Sequence, residues 1–422
     1  MQKIVLLLTL SFAAIQQACP SDQKNSQSNE DITQQIDVSA SQEPTTVVTG
    51  AMQLMEYVPL LTNKKVGLMV NQTSTIDTTH LVDTLLSIGV DIGTIFAPEH
   101  GFRGDHSAGA HVDNSKDPKT GLPITSLYGS KRKPTSEMLE GLDIVIFDIQ
   151  DVGVRFYTYI SSMHYLMEAC AENDIQFIVL DRPNPNGHFV DGPVLEKQYS
   201  SFIGMHEVPL VHGMTVGEFA QMINGEKWLK GGLTVELKVI PCKNYDHNTL
   251  YQLPIRPSPN LPNMASVYLY PSLGLFEGTN VSVGRGTDKP FQILGRPGES
   301  DGDLSFTPRS IPGVSDHPKY KGKECRGVDL EQIALNEVKT SGKLHLKWLI
   351  AFYKSNPESS GDYFKGFFTK LAGNKAFQKQ IESGMSEDEI RATWVEGCNT
   401  FREMRQGYLL YPDTDGPLKE SE

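Results

Sequence analysis

Three apolar segments, each the length of a β-strand, run directly into charged or amide residues, and this pattern restricts the fold more than any other feature. The segments are DIGTIFAPEH, LDIVIFDIQ and QFIVLD. The polar residues that follow or end them are Glu99, His100, Asp148, Gln150, Asp151, Asp181, Arg182 and Asn184. Runs rich in Ile, Val and Phe are typical of parallel strands covered on both faces, and ligands bind beyond the carboxyl ends of such strands. The pattern predicts an acid/base site at one sheet edge, although any single acid can instead cap a helix or bond a loop.

Strand-like and helix-like segments alternate from about Gly50 onward. A further strand, KKVGLMVNQ, ends near Asn71, which we add to the candidate binding residues. TVGEFAQMINGE is predicted to be a helix in which Thr215 and Glu218 form a capping box. Such alternation predicts a mostly parallel sheet with helices on both faces. No GxGxxG follows the first strand, so we expect no dinucleotide site.

The pattern changes near Tyr245, where prolines and glycines crowd the chain before several helical segments. The aromatic and apolar content of this stretch predicts an ordered system of functional loops rather than disorder. We therefore predict an α/β fold with two domains. A Rossmann-like parallel-sheet catalytic domain spans residues 50–244, and a second, smaller α+β domain spans residues 245–422 and completes a cleft.

The N-terminus has the features of a bacterial export signal. A short basic start precedes an apolar stretch that is too short to span a bilayer. Ala18 and Cys19 resemble a lipoprotein cleavage site that leaves Cys19 as the lipidated first residue, although Gln16 stands where an aliphatic residue is usual. Residues 1–18 are predicted to be a signal peptide and residues 19–49 a flexible, polar tether. We expect a periplasm-facing lipoprotein of the cell envelope, with simple secretion as the alternative.

Composition excludes several classes of partner. The formal net charge is −13 and the isoelectric point is near 5.4, whereas nucleic-acid binding needs a basic face. The histidines form no HExxH and the cysteines no CxxC, so neither indicates a zinc site. We expect no nucleic acid, no metal and no organic cofactor, and membrane contact only through a lipid anchor.

Glu99 is the first candidate for a catalytic acid. Pro98 and Gly101 predict a sharp turn directly after a buried strand, which would hold the carboxyl in place. An apolar neighbour such as Phe96 or Phe102 would raise its pKa toward neutrality, as a general acid requires. The alternative is a turn residue that bonds backbone amides.

Asp148 and Asp151 are candidates for a second catalytic carboxyl. The nearby Arg155 would suit bidentate recognition of a substrate carboxylate, and Tyr157 and Tyr159 offer phenols. The alternative is that Arg155 neutralises one of the two aspartates in a structural pair.

Other candidate binding residues are polar side chains near loops rich in glycine and proline. His212 precedes a predicted helix and either binds a ligand or bonds a carbonyl. Amides, hydroxyls and an acid near aromatic rings are typical of sugar recognition. The residues that fit this description are Ser258, Asn260, Glu277, Asn280 and Arg285.

In order along the chain, these stretches resemble one family. VGLMVNQTS, FAPEHGFRGD, TGLPITSLYG, FDIQDVGVRFYTYISSM, LDRPNPNG, HGMT, PSPNLPN and LFEGTNVSVGRGTDKPF are similar to the NamZ-type (YbbC-like) exo-β-N-acetylmuramidases, from about Gly50 to Pro412. The resemblance implies a Rossmann-like domain and a smaller domain flanking a cleft. It also implies release of N-acetylmuramic acid from the non-reducing end of peptidoglycan fragments. The family motif PEHG falls on Pro98–Gly101, which makes Glu99 the candidate acid.

A glycoside hydrolase of this kind normally uses two carboxyls. With Glu99 as general acid, Asp148 or Asp151 would be the nucleophile or base, or would orient the 2-acetamido group of the substrate. Muramic acid carries a lactyl carboxylate, so we expect Arg155, Arg182 or Arg285 in the pocket. The expected partners are peptidoglycan-derived glycans or muropeptides.

Two other functions remain alternatives. The first is a non-catalytic, muropeptide-binding envelope lipoprotein, which would keep the aromatics, amides and arginines but would not need a proton donor on a rigid turn. The second is a secreted metal-dependent hydrolase, which is disfavoured because the histidines do not cluster in the sequence.

Overall fold

The computed structural model describes residues 46–98, 101–102, 115–127, 129, 131–357, 362–413 and 416–421, which belong to one compact unit. The predicted signal peptide, Cys19 and most of the predicted tether lie outside these residues. The last residues of the predicted tether are folded: Val47 is buried, and Val48 exchanges two backbone hydrogen bonds with Lys243. The domain division after residue 244 stays a prediction. No helix in the described part of the chain has both the length and the apolar character of a membrane span.

The described strands form one large sheet and three small ones. The strands are β1 Lys65–Val70, β2 Thr75–Ile76, β3 Thr79–His80, β4 Asp91–Ala97, β5 Ser115–Lys116, β6 Pro123–Ser126, β7 Ile144–Asp148, β8 Gln176–Leu180, β9 Leu237–Ile240, β10 Thr249–Leu250, β11 Ile293–Arg296, β12 Leu304–Phe306, β13 Cys325–Asp329 and β14 Lys419–Glu420. The large sheet has the order β5-β6-β4-β1-β7-β8-β9, and only the β5–β6 pair is antiparallel. The predicted α/β fold class is confirmed.

Helices surround this sheet and make up much of the C-terminal region. They are α1 Leu54–Tyr57, α2 Leu81–Ser87, α3 Ser136–Leu139, α4 Tyr159–Glu172, α5 Val216–Gly225, α6 Met264–Leu273, α7 Glu331–Asn336, α8 Lys347–Lys354, α9 Phe367–Ala372, α10 Ala376–Glu382, α11 Glu387–Ala392 and α12 Val395–Arg405. One continuous apolar cluster joins a face of the large sheet, through Phe147 and Phe177, to C-terminal residues such as Phe276 and Phe368. The sheet and the C-terminal region therefore share a core.

Side-chain and backbone hydrogen bonds explain how two predicted helical segments begin and end. The capping box of α5 is confirmed, because Thr215 Oγ1 accepts from the Glu218 amide (3.3 Å) and Glu218 Oε2 accepts from the Thr215 amide (2.9 Å). The segment AMQLMEYVPLL does not form a single helix. There α1 gives way to a 3₁₀ turn that contains Pro59, which has no amide hydrogen to continue an α-helix.

Helix α6 and the sheet β11-β13-β12 were not anticipated from the sequence. α6 is buried on nearly all sides and contains Pro271, so it lacks the one-sided apolar stripe that identifies a surface helix. The loops on either side of α6, residues 245–263 and 274–292, are largely buried, whereas the loops on either side of β12, residues 297–303 and 307–324, are mostly exposed or half-buried.

Candidate active site

The carboxyl ends of four adjacent strands lie at one edge of the large sheet. β4, β1, β7 and β8 are neighbours in that order and parallel, so the segments that follow them emerge together. Glu99 and His100 lie outside the described residues. On either side of them, the Gly101 amide donates to the Pro98 carbonyl (3.1 Å), and Gly101 has a φ of 78°, which favours glycine. Pro98 and Gly101 therefore lie close together directly after β4.

Asp148, at the end of β7, is paired with Arg182 and not with Arg155. Arg182 Nε and Nη2 donate to the two carboxylate oxygens at 2.6 and 2.9 Å, and both side chains are buried. A bidentate pair of this kind satisfies the carboxylate and fixes the guanidinium. Neither residue lines the cavity described below, so the structure does not support Asp148 as a nucleophile or Arg182 as a ligand for the lactyl carboxylate.

Asp151 and Gln150 are held by the backbone around them. Gln150 Nε2 donates to the carbonyls of Asp151 (2.8 Å) and Pro183 (2.7 Å). Asp151 Oδ1 accepts from the Gly153 amide (2.7 Å), whereas its Oδ2 is buried without a partner. Burial raises the pKa of the Asp151 carboxyl to about 7. Asp151 is therefore a buried acid that does not line the cavity.

Asp181 anchors helix α5. Its carboxylate accepts from the Gly217 amide (2.8 Å) in the first turn, from Thr215 Oγ1 (2.7 Å) and from the Tyr411 hydroxyl (2.5 Å). Burial raises the pKa of Asp181 to about 6, although these hydrogen bonds oppose the shift. Asp181 therefore caps the start of α5, which was the alternative to binding substrate.

Asn71, Asn184 and His212 also bond nearby chain rather than line a cavity. Asn71 Oδ1 accepts from the amide and hydroxyl of Thr73 (2.9 and 2.6 Å). Asn184 Nδ2 donates to the Met214 carbonyl (3.0 Å), and His212 Nδ1 accepts from the Met214 amide (3.2 Å). Burial lowers the pKa of His212 to about 3, so this imidazole is neutral.

Arg155 joins two distant parts of the chain. Its Nη1 donates to the carbonyls of Pro193 (2.7 Å) and Val208 (2.6 Å), and its Nη2 to those of Leu371 (3.1 Å) and Ala372 (2.9 Å) at the end of α9. The side chain is buried. Because both terminal nitrogens are bonded to protein carbonyls, the structure assigns Arg155 a structural role rather than recognition of a carboxylate.

Six predicted binding residues line a cavity of about 560 Å³. They are Tyr157, Tyr159, Ser258, Asn260, Glu277 and Arg285. Asn280 does not: its side-chain Nδ2 donates to Asn356 Oδ1 (2.8 Å), and its side-chain Oδ1 accepts from the buried Arg296 (3.2 Å). The volume lies in the range typical of small-molecule sites.

The cavity adjoins the carboxyl edge of the sheet. Gln72, two residues beyond β1, donates to the Pro257 carbonyl (3.1 Å), and the Tyr157 hydroxyl donates to the same oxygen (2.9 Å). Ser258, the next residue, lines the cavity and its hydroxyl accepts from the Asn260 amide (3.2 Å). The loops beyond β1 and β7 therefore hold the segment that forms one cavity wall.

A continuous set of aromatic rings forms another wall. Tyr270 contacts Phe156, Tyr157 and Phe291 edge-to-face, with ring centroids 5.3, 5.7 and 4.9 Å apart. Tyr159 packs edge-on against Tyr157 at 5.0 Å. Such rings offer flat apolar surfaces with polar hydroxyls at their edges, which suits the faces of a sugar.

Glu277 and Arg285 bring charge into the cavity. Arg285 Nε and Nη2 donate to the two oxygens of Glu277 at 2.9 and 2.8 Å, and the guanidinium lies 4.9 Å from the centre of the Phe291 ring. Burial alone raises the pKa of Glu277, but Arg285, with a smaller contribution from Lys319, outweighs it and holds that pKa below its ordinary value. Glu277 is therefore an ionised carboxylate.

Several lining residues were missed from the sequence. Arg132 lies with its guanidinium 4.2 Å from the centre of the Phe202 ring, and both line the cavity, as do Asp316 and His317. The signal for Arg132 was the basic run Lys131–Lys133 in an acidic chain. Within the described ranges, no three His, Cys, Asp or Glu side chains are grouped as metal ligands would be.

Comparisons with known proteins agree along the chain. Residues 66–265 match the family described as "Exo-beta-N-acetylmuramidase NamZ, N-terminal", and residues 268–411 match its C-terminal counterpart. The chain is 41% identical over 393 residues to the peptidoglycan beta-N-acetylmuramidase NamZ of Bacillus subtilis, covering 86% of this chain and 91% of that protein. Two crystal structures of DUF1343 family proteins from Bacteroides fragilis are also similar. One has a TM-score of 0.81 at 47% identity and covers 88% of this chain and 100% of its own, and the other has 0.71 at 29%, covering 87% and 99%.

Proposed function

Because this chain belongs to the NamZ exo-β-N-acetylmuramidase family, we propose that it releases N-acetylmuramic acid from the non-reducing end of peptidoglycan fragments. As a member of this family, the chain is a glycoside hydrolase. The single observation that carries the proposal within the structure is the cavity at the carboxyl edge of the sheet. There an aromatic wall and the Glu277–Arg285 ion pair face the same space.

The proposed general acid is Glu99. It follows β4, whose neighbours at the sheet edge include β1, and the loop beyond β1 contacts a cavity wall through Gln72. A carboxyl next to a buried strand end, within the PEHG sequence shared with the family, supports the role of proton donor to the leaving oxygen.

Glu277 replaces Asp148 and Asp151 as our candidate for the second carboxyl. It lines the cavity as an ionised carboxylate, whereas neither Asp148 nor Asp151 lines it. Glycoside hydrolysis normally uses one protonated carboxyl as the acid and one ionised carboxylate. In this proposal Glu277 either attacks the anomeric carbon, activates water or orients the 2-acetamido group of the substrate.

A chromogenic N-acetylmuramide and two glycan fragments test the activity. We expect release of the chromophore, and release of N-acetylmuramic acid from a fragment that ends in that sugar. A matched fragment capped by N-acetylglucosamine at its non-reducing end is the control, and an exo-acting enzyme leaves it intact. Saturable binding of the first fragment without turnover would support the non-catalytic binding protein instead.

We also propose that Cys19 carries a lipid anchor and that the polar segment after it gives the enzyme reach from the membrane. The sequence before Cys19 supports this, and a cysteine with two or more acyl chains binds membranes stably where one chain is marginal. We expect the wild type in the membrane fraction and Cys19→Ala in the soluble fraction. Retention of Cys19→Ala wholly in the membrane fraction would disprove the anchor.

A further inference from the structure

The half-buried ammonium group of Lys319 holds the turn that carries Glu277. Lys319 Nζ donates to the carbonyls of Phe276 (3.2 Å), Thr279 (2.6 Å) and Val281 (2.8 Å), which lie on both sides of Glu277 in the chain. An ammonium has three N–H donors and no acceptor, so three converging carbonyls use all of them. Lys319 therefore has no donor left for a substrate.

Tyr320, the next residue, holds the same segment. The Tyr320 hydroxyl donates to the Asn280 carbonyl (2.5 Å). Glu277 itself lies in the 3₁₀ turn Gly274–Gly278 that follows α6. Because only part of this segment has helical hydrogen bonds, Lys319 and Tyr320 provide partners that a longer helix or a strand would otherwise supply.

Lys319 also contributes charge beside Glu277. The two residues line a second cavity of about 280 Å³, and Arg285 and His317 line both this cavity and the larger one. The positive charge of Lys319 lowers the pKa of Glu277, in addition to the larger effect of Arg285. One side chain thus fixes the backbone under the carboxylate and favours its ionised form.

We propose that Lys319 is a positioning residue for the hydrolysis, one that sets the place and charge of Glu277 without touching the substrate. The inference rests on the proposed function and deepens it, since Glu277 matters only if the cavity is the reaction site. A displacement of about 1 Å in a reacting group costs on the order of 10²-fold in rate. Loss of the three hydrogen bonds should therefore affect turnover more than substrate affinity.

Lys319→Met removes the ammonium with little change in volume. We expect kcat to fall by roughly 10- to 100-fold, with KM changed much less. Amide hydrogen exchange of the peptide that covers residues 274–283 should become faster, because three of its carbonyls lose the ammonium group that holds them. Lys321→Met is the matched control. Lys321 is exposed in the same loop, with only a 3.4 Å contact to the Asp316 carbonyl, and should match the wild type in both measurements.

Chemical rescue separates positioning from a general loss of folding. Lys319→Ala lacks three carbons and the nitrogen, so added n-propylammonium should restore part of kcat by donating to the same carbonyls. Tetramethylammonium, which has no N–H, should not. Wild-type kcat in Lys319→Met, unchanged exchange of residues 274–283, or equal effects of the two ions would overturn the inference. If the wild type releases no N-acetylmuramic acid, the proposed function fails, whereas the exchange experiment still decides whether Lys319 holds the turn.

Discussion

Replacing Glu99 by glutamine is expected to slow the release of N-acetylmuramic acid from a glycan leaving group by about 10²–10⁴-fold, the usual contribution of general acid catalysis. Glutamine keeps the size and much of the polarity of glutamate but has no proton to donate. The fold and the affinity for the product sugar should therefore be retained. The measurements are kcat on a natural disaccharide, thermal unfolding, and equilibrium binding of N-acetylmuramic acid.

The dependence on the leaving group identifies which glutamate donates the proton. A nitrophenol leaves without much protonation, so Glu99→Gln should lose far less activity on a nitrophenyl glycoside than on a disaccharide. Glu277→Gln is the matched comparison, because it neutralises the ionised carboxylate of the cavity and should slow both substrates to a similar extent. If instead Glu277→Gln loses far more activity on the disaccharide and Glu99→Gln slows both substrates equally, Glu277 is the acid and Glu99 the ionised carboxylate. Unchanged activity of Glu99→Gln would remove Glu99 from the mechanism.

The order of polar residues along the sheet edge could be predicted from the sequence, but their individual roles could not. The apolar runs before Asp148 and Asp181 are read as strands because of their length and their Ile, Val and Phe content. Which strand ends are neighbours depends on the sheet order, and only that order brings Arg182 on the loop after β8 to Asp148 on β7. A structural ion pair and a catalytic pair use the same residue types, so the sequence left both open.

The cavity residues of the C-terminal region were predicted for a different reason. Glu277, Arg285, Ser258 and Asn260 stand in stretches rich in glycine and proline, where rigid turns rather than helices place polar groups. Tyr270 was missed because it lies on α6, a buried helix whose residues are apolar on most sides and give no periodic pattern.

Discrimination between N-acetylmuramides and N-acetylglucosaminides is the second large effect that we expect. The two sugars differ in the lactyl ether and its carboxylate, and the cavity presents Arg285, held in a fixed orientation by Glu277. Loss of a buried, charge-assisted partner costs on the order of 2–5 kcal/mol, or roughly 30-fold or more in kcat/KM. Wild-type protein should therefore prefer the N-acetylmuramide by at least that factor, measured on matched nitrophenyl glycosides.

Variants of the two described arginines that line the cavity locate this discrimination. Arg285→Ala should slow both glycosides, because it removes the partner that keeps Glu277 ionised, and should also reduce the preference toward unity, because only the N-acetylmuramide loses a contact to its carboxylate. Arg132→Ala is the comparison, since Arg132 is exposed over Phe202 at another part of the lining. A larger loss of preference in Arg132→Ala would place the lactyl carboxylate beside Phe202. Comparable turnover of the two glycosides by the wild type would rule out recognition of that carboxylate by either arginine.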